Sequence, residues 1–122
     1  MITRLESSVV KAIMKAINAT PGAKCRKLWG SSLSVSGDPD IYGAWPYRLP
    51  DGQVIARMFH LEVKAPGKAG PTKLQVHRLA EWQSVGCIVG VPRSVEEALD
   101  YLTGAVVWKA PERENEGEWE DE

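Results

Sequence analysis

The chain has 122 residues, of which 25% are charged and 43% hydrophobic, the size and balance of one globular domain rather than of a disordered chain. No run of about 18 apolar residues occurs, which excludes a transmembrane helix. The net charge of −1 hides an asymmetry: residues 112–122, ERENEGEWEDE, hold seven acids and one Arg, a net of −6, which leaves +5 on the other 111 residues. Such a basic body suits a polyanionic partner, with the acidic run competing for it or keeping the chain soluble.

The N-terminal stretch MITRLESSVVKAIMKAIN breaks its apolar positions with Lys and Glu, unlike a signal peptide. Leu5, Val9, Ile13 and Ile17 recur every four residues and predict an amphipathic helix over residues 3–18. Thr20-Pro21-Gly22 ends it. Residues 24–29, KCRKLW, read as a short strand, and GSSLSVSG after them as a mobile loop. Strands follow at 40–47 and 53–64, joined through Pro50-Asp51-Gly52, where Pro sets φ and Gly accepts a positive one, so the pair forms a hairpin.

Residues 65–73, APGKAGPTK, form a Gly/Pro loop. Thr72 caps a helix reaching about Val85, with Leu74, Leu79 and Trp82 on its apolar face. VGCIVGVP reads as a short buried strand, and Ser94 with Glu97 as the capping box of a helix over VEEALDYL. AVVWKA, residues 105–110, reads as an added edge strand, and the acidic tail as a disordered segment outside a domain of residues 1–110. The order α-β-β-β-α-β-α specifies an α/β or α+β sandwich around a mixed sheet. Cys25 and Cys87 are too few and too far apart for a disulfide scaffold or zinc site; small hydrophobes in a reducing, cytosolic setting are the simplest reading.

A turn centred on Asp51 makes hairpin partners sum to 102 and sets Asp40 opposite Glu62. His60, Glu62 and Lys64 then share one face, and Ile55, Phe59, Leu61 and Val63 share the other, which suits a core. Two carboxylates in cross-strand reach repel unless a cation lies between them. Hard oxygen ligands suit Mg²⁺ or Mn²⁺. Lys64 would repel that cation but suits a phosphate oxygen or an attacking water, a combination fit for hydrolysing a phosphodiester.

Pro39-Asp40 followed by Glu62-Val63-Lys64 resembles the PD-(D/E)XK nuclease superfamily. With Glu6 in the first helix, Gly37-Asp38-Pro39-Asp40 and Gln75 on the helix after the loop, the order resembles the VRR-NUC (virus-type replication-repair nuclease) family, and VPRSVEEALDYL is similar to its closing strand and helix. The resemblance spans roughly residues 3–103. It implies a restriction-endonuclease-like core, with Asp40, Glu62 and the Val63 carbonyl as metal ligands and Glu6 completing the set directly or through water. Lys64 would position water or stabilise the phosphorane, and Gln75 would hold the network or assist Lys64. It further implies a stand-alone, phage- or prophage-type DNA endonuclease acting on branched DNA such as Holliday junctions, as a homodimer; the candidate interface is the long hairpin with Tyr42, Trp45 and Tyr47. No nucleotide cofactor or membrane partner is expected.

Each residue also has a plainer reading. Asp38 and Asp40 suit a turn or cap, Glu62 and Lys64 a salt bridge on a solvated face, Glu6 a first-turn acid facing the helix dipole, and Gln75 an exposed helix position. His60 reads as a strand-edge histidine or an outer-shell contact of the metal, and His77 as exposed. Trp29, Trp82 and Trp108 read as core or interface, and Trp45 as exposed near the hairpin tip. Lys24, Arg26, Lys27, Lys68 and Lys73 read either as solvated surface or as sequence-independent phosphate contacts. Two other functions fit the same residues: a generic or restriction-type nickase, and a nucleic-acid-binding module whose metal site is inactive.

Overall fold

The structure, a computed structural model, describes residues 4–28 and 35–112. Trp29, most of the small-residue loop and the acidic run from residue 113 onward lie outside the described residues. The elements follow the expected order: α1 (Arg4–Asn18), β1 (Lys24–Lys27), β2 (Ile41–Arg48), β3 (Val54–Leu61), α2 (Lys73–Ser84), β4 (Ile88–Gly90) and α3 (Val95–Thr103). The sheet order is β1-β2-β3-β4, antiparallel except for the β3–β4 pair. Helix α2 makes the crossover that a parallel pair requires.

The hairpin has the register that its turn dictates. Ile41 pairs with Leu61 and Arg48 with Val54, without a bulge. Asp51 accepts the Gln53 N–H at 2.9 Å, and Gly52 takes φ 91°, the left-handed value that only Gly adopts cheaply. Beyond Leu61 the chain stays extended: Glu62 N–H donates to Gly90 O (2.9 Å) and Lys64 N–H to Pro92 O (3.1 Å). The expected strand to residue 64 is thus half present, bonded on the β4 side only.

Two helices cover one face of the sheet. Val10, Ile13 and Ile17 of α1 and Ala98 and Leu102 of α3 pack with Ile41, Phe59, Leu61 and Val63 in the larger core. On the other face Val76 and Leu79 of α2 pack with Val89 and Trp108. Burying a side chain such as Phe59 or Leu61 stabilises by roughly 1.5–3 kcal/mol, so both faces of β3 are committed near its C-terminal end.

This layering corrects four expectations. Ile55 is 46% exposed rather than in the core, because the hairpin outruns the helices that cover its base. Trp45 is half-buried against the larger core rather than exposed. His60 is buried, stacked on Trp82 with ring centroids 3.9 Å apart, rather than lying at an exposed strand edge. Residues 105–110 form no strand: Val106 N–H bonds Asp100 O (3.1 Å), Trp108 O accepts from Gln83 (2.8 Å), and Trp108 packs beside α2.

Candidate active site

The site forms where the β2–β3 ladder stops. Pro39 carries no N–H and cannot continue the ladder. The Asp40 carboxylate takes over, its Oδ2 accepting the Val63 N–H at 2.9 Å. This bond fixes Asp40 beside Glu62, as the hairpin register requires.

Glu62 is 3% exposed, and its Oε1 is buried without a hydrogen-bond partner. Burial, reinforced by the adjacent Asp40 and only partly offset by Lys64, pushes its carboxyl up to about 9. An unpaired buried carboxylate is costly. The site therefore favours either a proton on Glu62 or a cation shared with Asp40.

The other Glu62 oxygen is held. Its Oε2 lies 3.5 Å from Lys64 Nζ and accepts from Gln75 Nε2 at 3.3 Å. Gln75 Oε1 in turn accepts from Lys64 Nζ (3.0 Å) and from the Thr72 N–H (2.9 Å). The last bond is one arm of a capping box, with Thr72 Oγ1 accepting the Gln75 N–H at 3.1 Å. The start of α2 thereby orients the amide that restrains Lys64. Arg93 Nη1 donates to Ala65 O at 2.6 Å and pins the chain just past Lys64.

The structure brings together Asp40, Glu62, Val63, Lys64 and Gln75. Glu6 sits half-buried in the first turn of α1. Among the described residues no three His, Cys, Asp or Glu side chains form a group that could hold an ion, so Glu6 is not gathered with the two carboxylates. Lys24 and Arg26 are exposed on β1, and Lys27 is half-buried at the end of β1 that pairs with Ile41, next to Asp40. Lys68 is exposed in the loop and Lys73 at the start of α2. His77 is half-buried, with Nε2 3.8 Å from a Glu81 oxygen.

Three residues take roles that the sequence pattern alone does not specify. Thr72 was legible as a cap, but the Thr-x-x-Gln spacing also signals that the cap grips Gln75. Arg93 carries no local signal for its bond to Ala65. Asp38 accepts from Trp82 Nε1 at 3.5 Å, locking α2 to the loop before Asp40; Gly37 at φ 81° lets that loop pass Leu74. Burial holds the His60 imidazole below its usual pKa, with Asp38 opposing.

The pair Asp40–Glu62 has the chemistry that suits a hard divalent cation: two carboxylates adjoin, and one buried Glu62 oxygen lacks a hydrogen-bond partner. No helix among the described residues is long and apolar enough to cross a membrane.

No family model matches the sequence, and no curated protein matches it. A solved structure described as "VRR_NUC domain" matches the fold with a TM-score of 0.56 and 24% identity, over 83% of this chain and 97% of that one. The chain therefore shares the fold of that domain, a mixed sheet flanked by helices.

Proposed function

We propose that this chain is a nuclease of the VRR-NUC kind, a metal-dependent endonuclease that hydrolyses DNA phosphodiester bonds. The observation that carries this reading is the buried, unpartnered Oε1 of Glu62 beside Asp40, with Lys64 adjacent on the same strand. An inactive binding module would have no use for that destabilising arrangement.

Asp40, Glu62 and the Val63 carbonyl would hold Mg²⁺ or Mn²⁺, with Glu6 joining only through water. When bound, the cation supplies Lewis acidity toward the phosphoryl group and lowers the pKa of a water. Lys64 offsets the charge that develops on the phosphoryl oxygens. Gln75 keeps the ammonium beside Glu62 rather than loose in solvent, and the Thr72 cap keeps Gln75 in place. Lys24, Arg26, Lys27, Lys68 and Lys73 contact phosphates without reading sequence.

The substrate is branched DNA such as a four-way junction, cut by a homodimer whose two-fold symmetry matches the junction. The protein acts in the cytoplasm of a bacterial host and is phage- or prophage-encoded. Cutting of a labelled four-way junction and of a duplex of the same sequence, each with Mg²⁺, tests the substrate class. Paired symmetric nicks confined to the junction are expected. Equal cutting of both substrates would remove the junction specificity and favour the nickase.

A further inference from the structure

Helix α1 and strand β1 run in opposite directions, side by side. The Cys25 N–H donates to Asn18 Oδ1 at 2.9 Å, and Cys25 Sγ lies 3.8 Å from Met14 O. Since β1 is the outer strand of the sheet, its free edge and α1 bound a cleft of about 640 Å³. Its floor is apolar, made by Val10, Met14 and Cys25, and its basic side chains are Lys11, Arg26 and Lys27. A second hollow of about 400 Å³ shares Cys25, Arg26 and Tyr42 with it and adds Lys24. Among the described residues, none that lines either hollow is acidic.

We propose that this cleft seats a strand unpaired at the branch point of the nucleic-acid substrate, where it leaves the Asp40–Glu62 site; the proposal rests on the nuclease reading above. Three observations converge on this occupant. Charge is the first: a surface with Lys11, Arg26 and Lys27, and no carboxylate among the described lining residues, attracts a phosphate backbone.

Shape is the second. A space of about 640 Å³ cannot admit a B-form duplex, whose major groove alone is about 12 Å wide. A duplex would leave the apolar floor uncovered and in contact with water. An unpaired strand offers base faces to that floor and to Tyr42, which is half-buried and lines both hollows. Aromatic platforms flanked by cations are the usual means of holding single strands.

Continuity with the site is the third. Lys27 pairs with Ile41 in the β1–β2 register, and Leu28 N–H donates to Asp40 O at 2.7 Å. The cleft thus begins one residue from a candidate metal ligand. It runs from Ser7 to Asn18 along α1, roughly 16 Å of helix, enough for a few nucleotides of an unpaired strand.

The test is fluorescence anisotropy of the full chain in EDTA, which separates binding from cutting. The probes are labelled dT12 and a blunt hairpin duplex, with polyglutamate as competitor. Lys11 is exposed on α1, so Lys11→Glu keeps the fold, as a circular dichroism melt verifies. Lys11→Glu is expected to weaken dT12 about tenfold and to lower its salt slope by about 0.7, with a smaller change for the duplex. Tyr42→Ala is expected to cost about fivefold or more on dT12. Unchanged dT12 affinity in Lys11→Glu, an equal loss on the duplex, or displacement of dT12 by polyglutamate at matched charge would each overturn the proposal. A wild-type protein that never cuts yet shows the Lys11-dependent dT12 binding would refute the nuclease and leave the cleft standing.

Discussion

Lys64 Nζ lies 3.0 Å from the Gln75 side-chain oxygen, so the end of the β3 segment and the first turn of α2 share one hydrogen bond at the site. Gln75 also donates to Glu62 and accepts from Thr72. A helix cap therefore orients the group that is proposed to stabilise the reacting phosphate. Gln75→Ala is expected to lower stability by about 1 kcal/mol through the lost cap arm and cutting by roughly 10–100-fold. Thr72→Ala should cost similar stability and less activity. Melting curves and single-turnover cutting rates check both; a Gln75→Ala enzyme cutting at the full rate contradicts the role.

Asp40 has two separable duties, since its Oδ2 accepts the Val63 N–H while the carboxylate faces Glu62. Asp40→Asn keeps an acceptor for that N–H and should melt near the wild type. Asp40→Ala leaves a buried donor unpaired and should lose about 1–3 kcal/mol. Both should be inactive. Urea unfolding of the three proteins distinguishes the duties; equal stability of the Asn and Ala variants would show that the Val63 bond contributes nothing.

Glu62 gives a pH dependence of defined sign. Its carboxyl is raised to about 9 in the folded protein against about 4.3 in an unfolded chain. Between those values the folded state binds the extra proton, so metal-free stability falls as pH climbs from about 5 towards 9. Glu62→Gln removes the ionisable group and should flatten this profile, raising the melting temperature at pH 8 in EDTA by several degrees. Mg²⁺ should stabilise the wild type at pH 8 and leave the variant unmoved. A wild-type melting temperature that does not change from pH 5 to pH 9 in EDTA would sink the prediction.

Gly43 is fixed by close approach rather than by backbone angle. A Cβ there would run into the Lys24 carbonyl and stand 2.8 Å from Cys25 Cα and 2.8 Å from Phe59 Cζ. Gly43→Ala should therefore push β1 off β2 and cost about 2 kcal/mol or more. Denaturant midpoints measure it, and a shift within error would contradict the packing.

The proposed homodimer has a direct physical check. Tyr47 and its cross-strand partner Ile55 stand 47% and 46% exposed, an apolar surface on the part of the hairpin that no helix covers. Burial of this surface by a second copy predicts a dimeric mass by sedimentation at micromolar concentration. A monomer there would remove the symmetric-resolvase reading.

The sequence made the site more legible than its surroundings. The Pro50-Asp51-Gly52 turn sets the hairpin register, and the register sets Asp40 opposite Glu62, so a local signal carries a long-range consequence. The Thr72 cap and Ser94 cap are likewise local. Burial of His60 and exposure of Ile55 were not legible, because alternation tells which residues share a face but not how far a distant helix covers it. AVVWKA is rich in strand-forming residues, yet its backbone groups find partners at Asp100 and Gln83 rather than at a sheet edge. The α1–β1 cleft arises from two elements whose contact no periodicity announces.

The most direct measurement is cutting of a labelled four-way junction by the wild type and by Glu62→Ala, each in Mn²⁺, Mg²⁺ and EDTA. Cutting by the wild type in either metal, none in EDTA and none by Glu62→Ala is the expected result. Cutting that persists in EDTA or in Glu62→Ala, or a wild type that binds the junction and never cuts it, would contradict a metal-dependent nuclease built on Asp40 and Glu62.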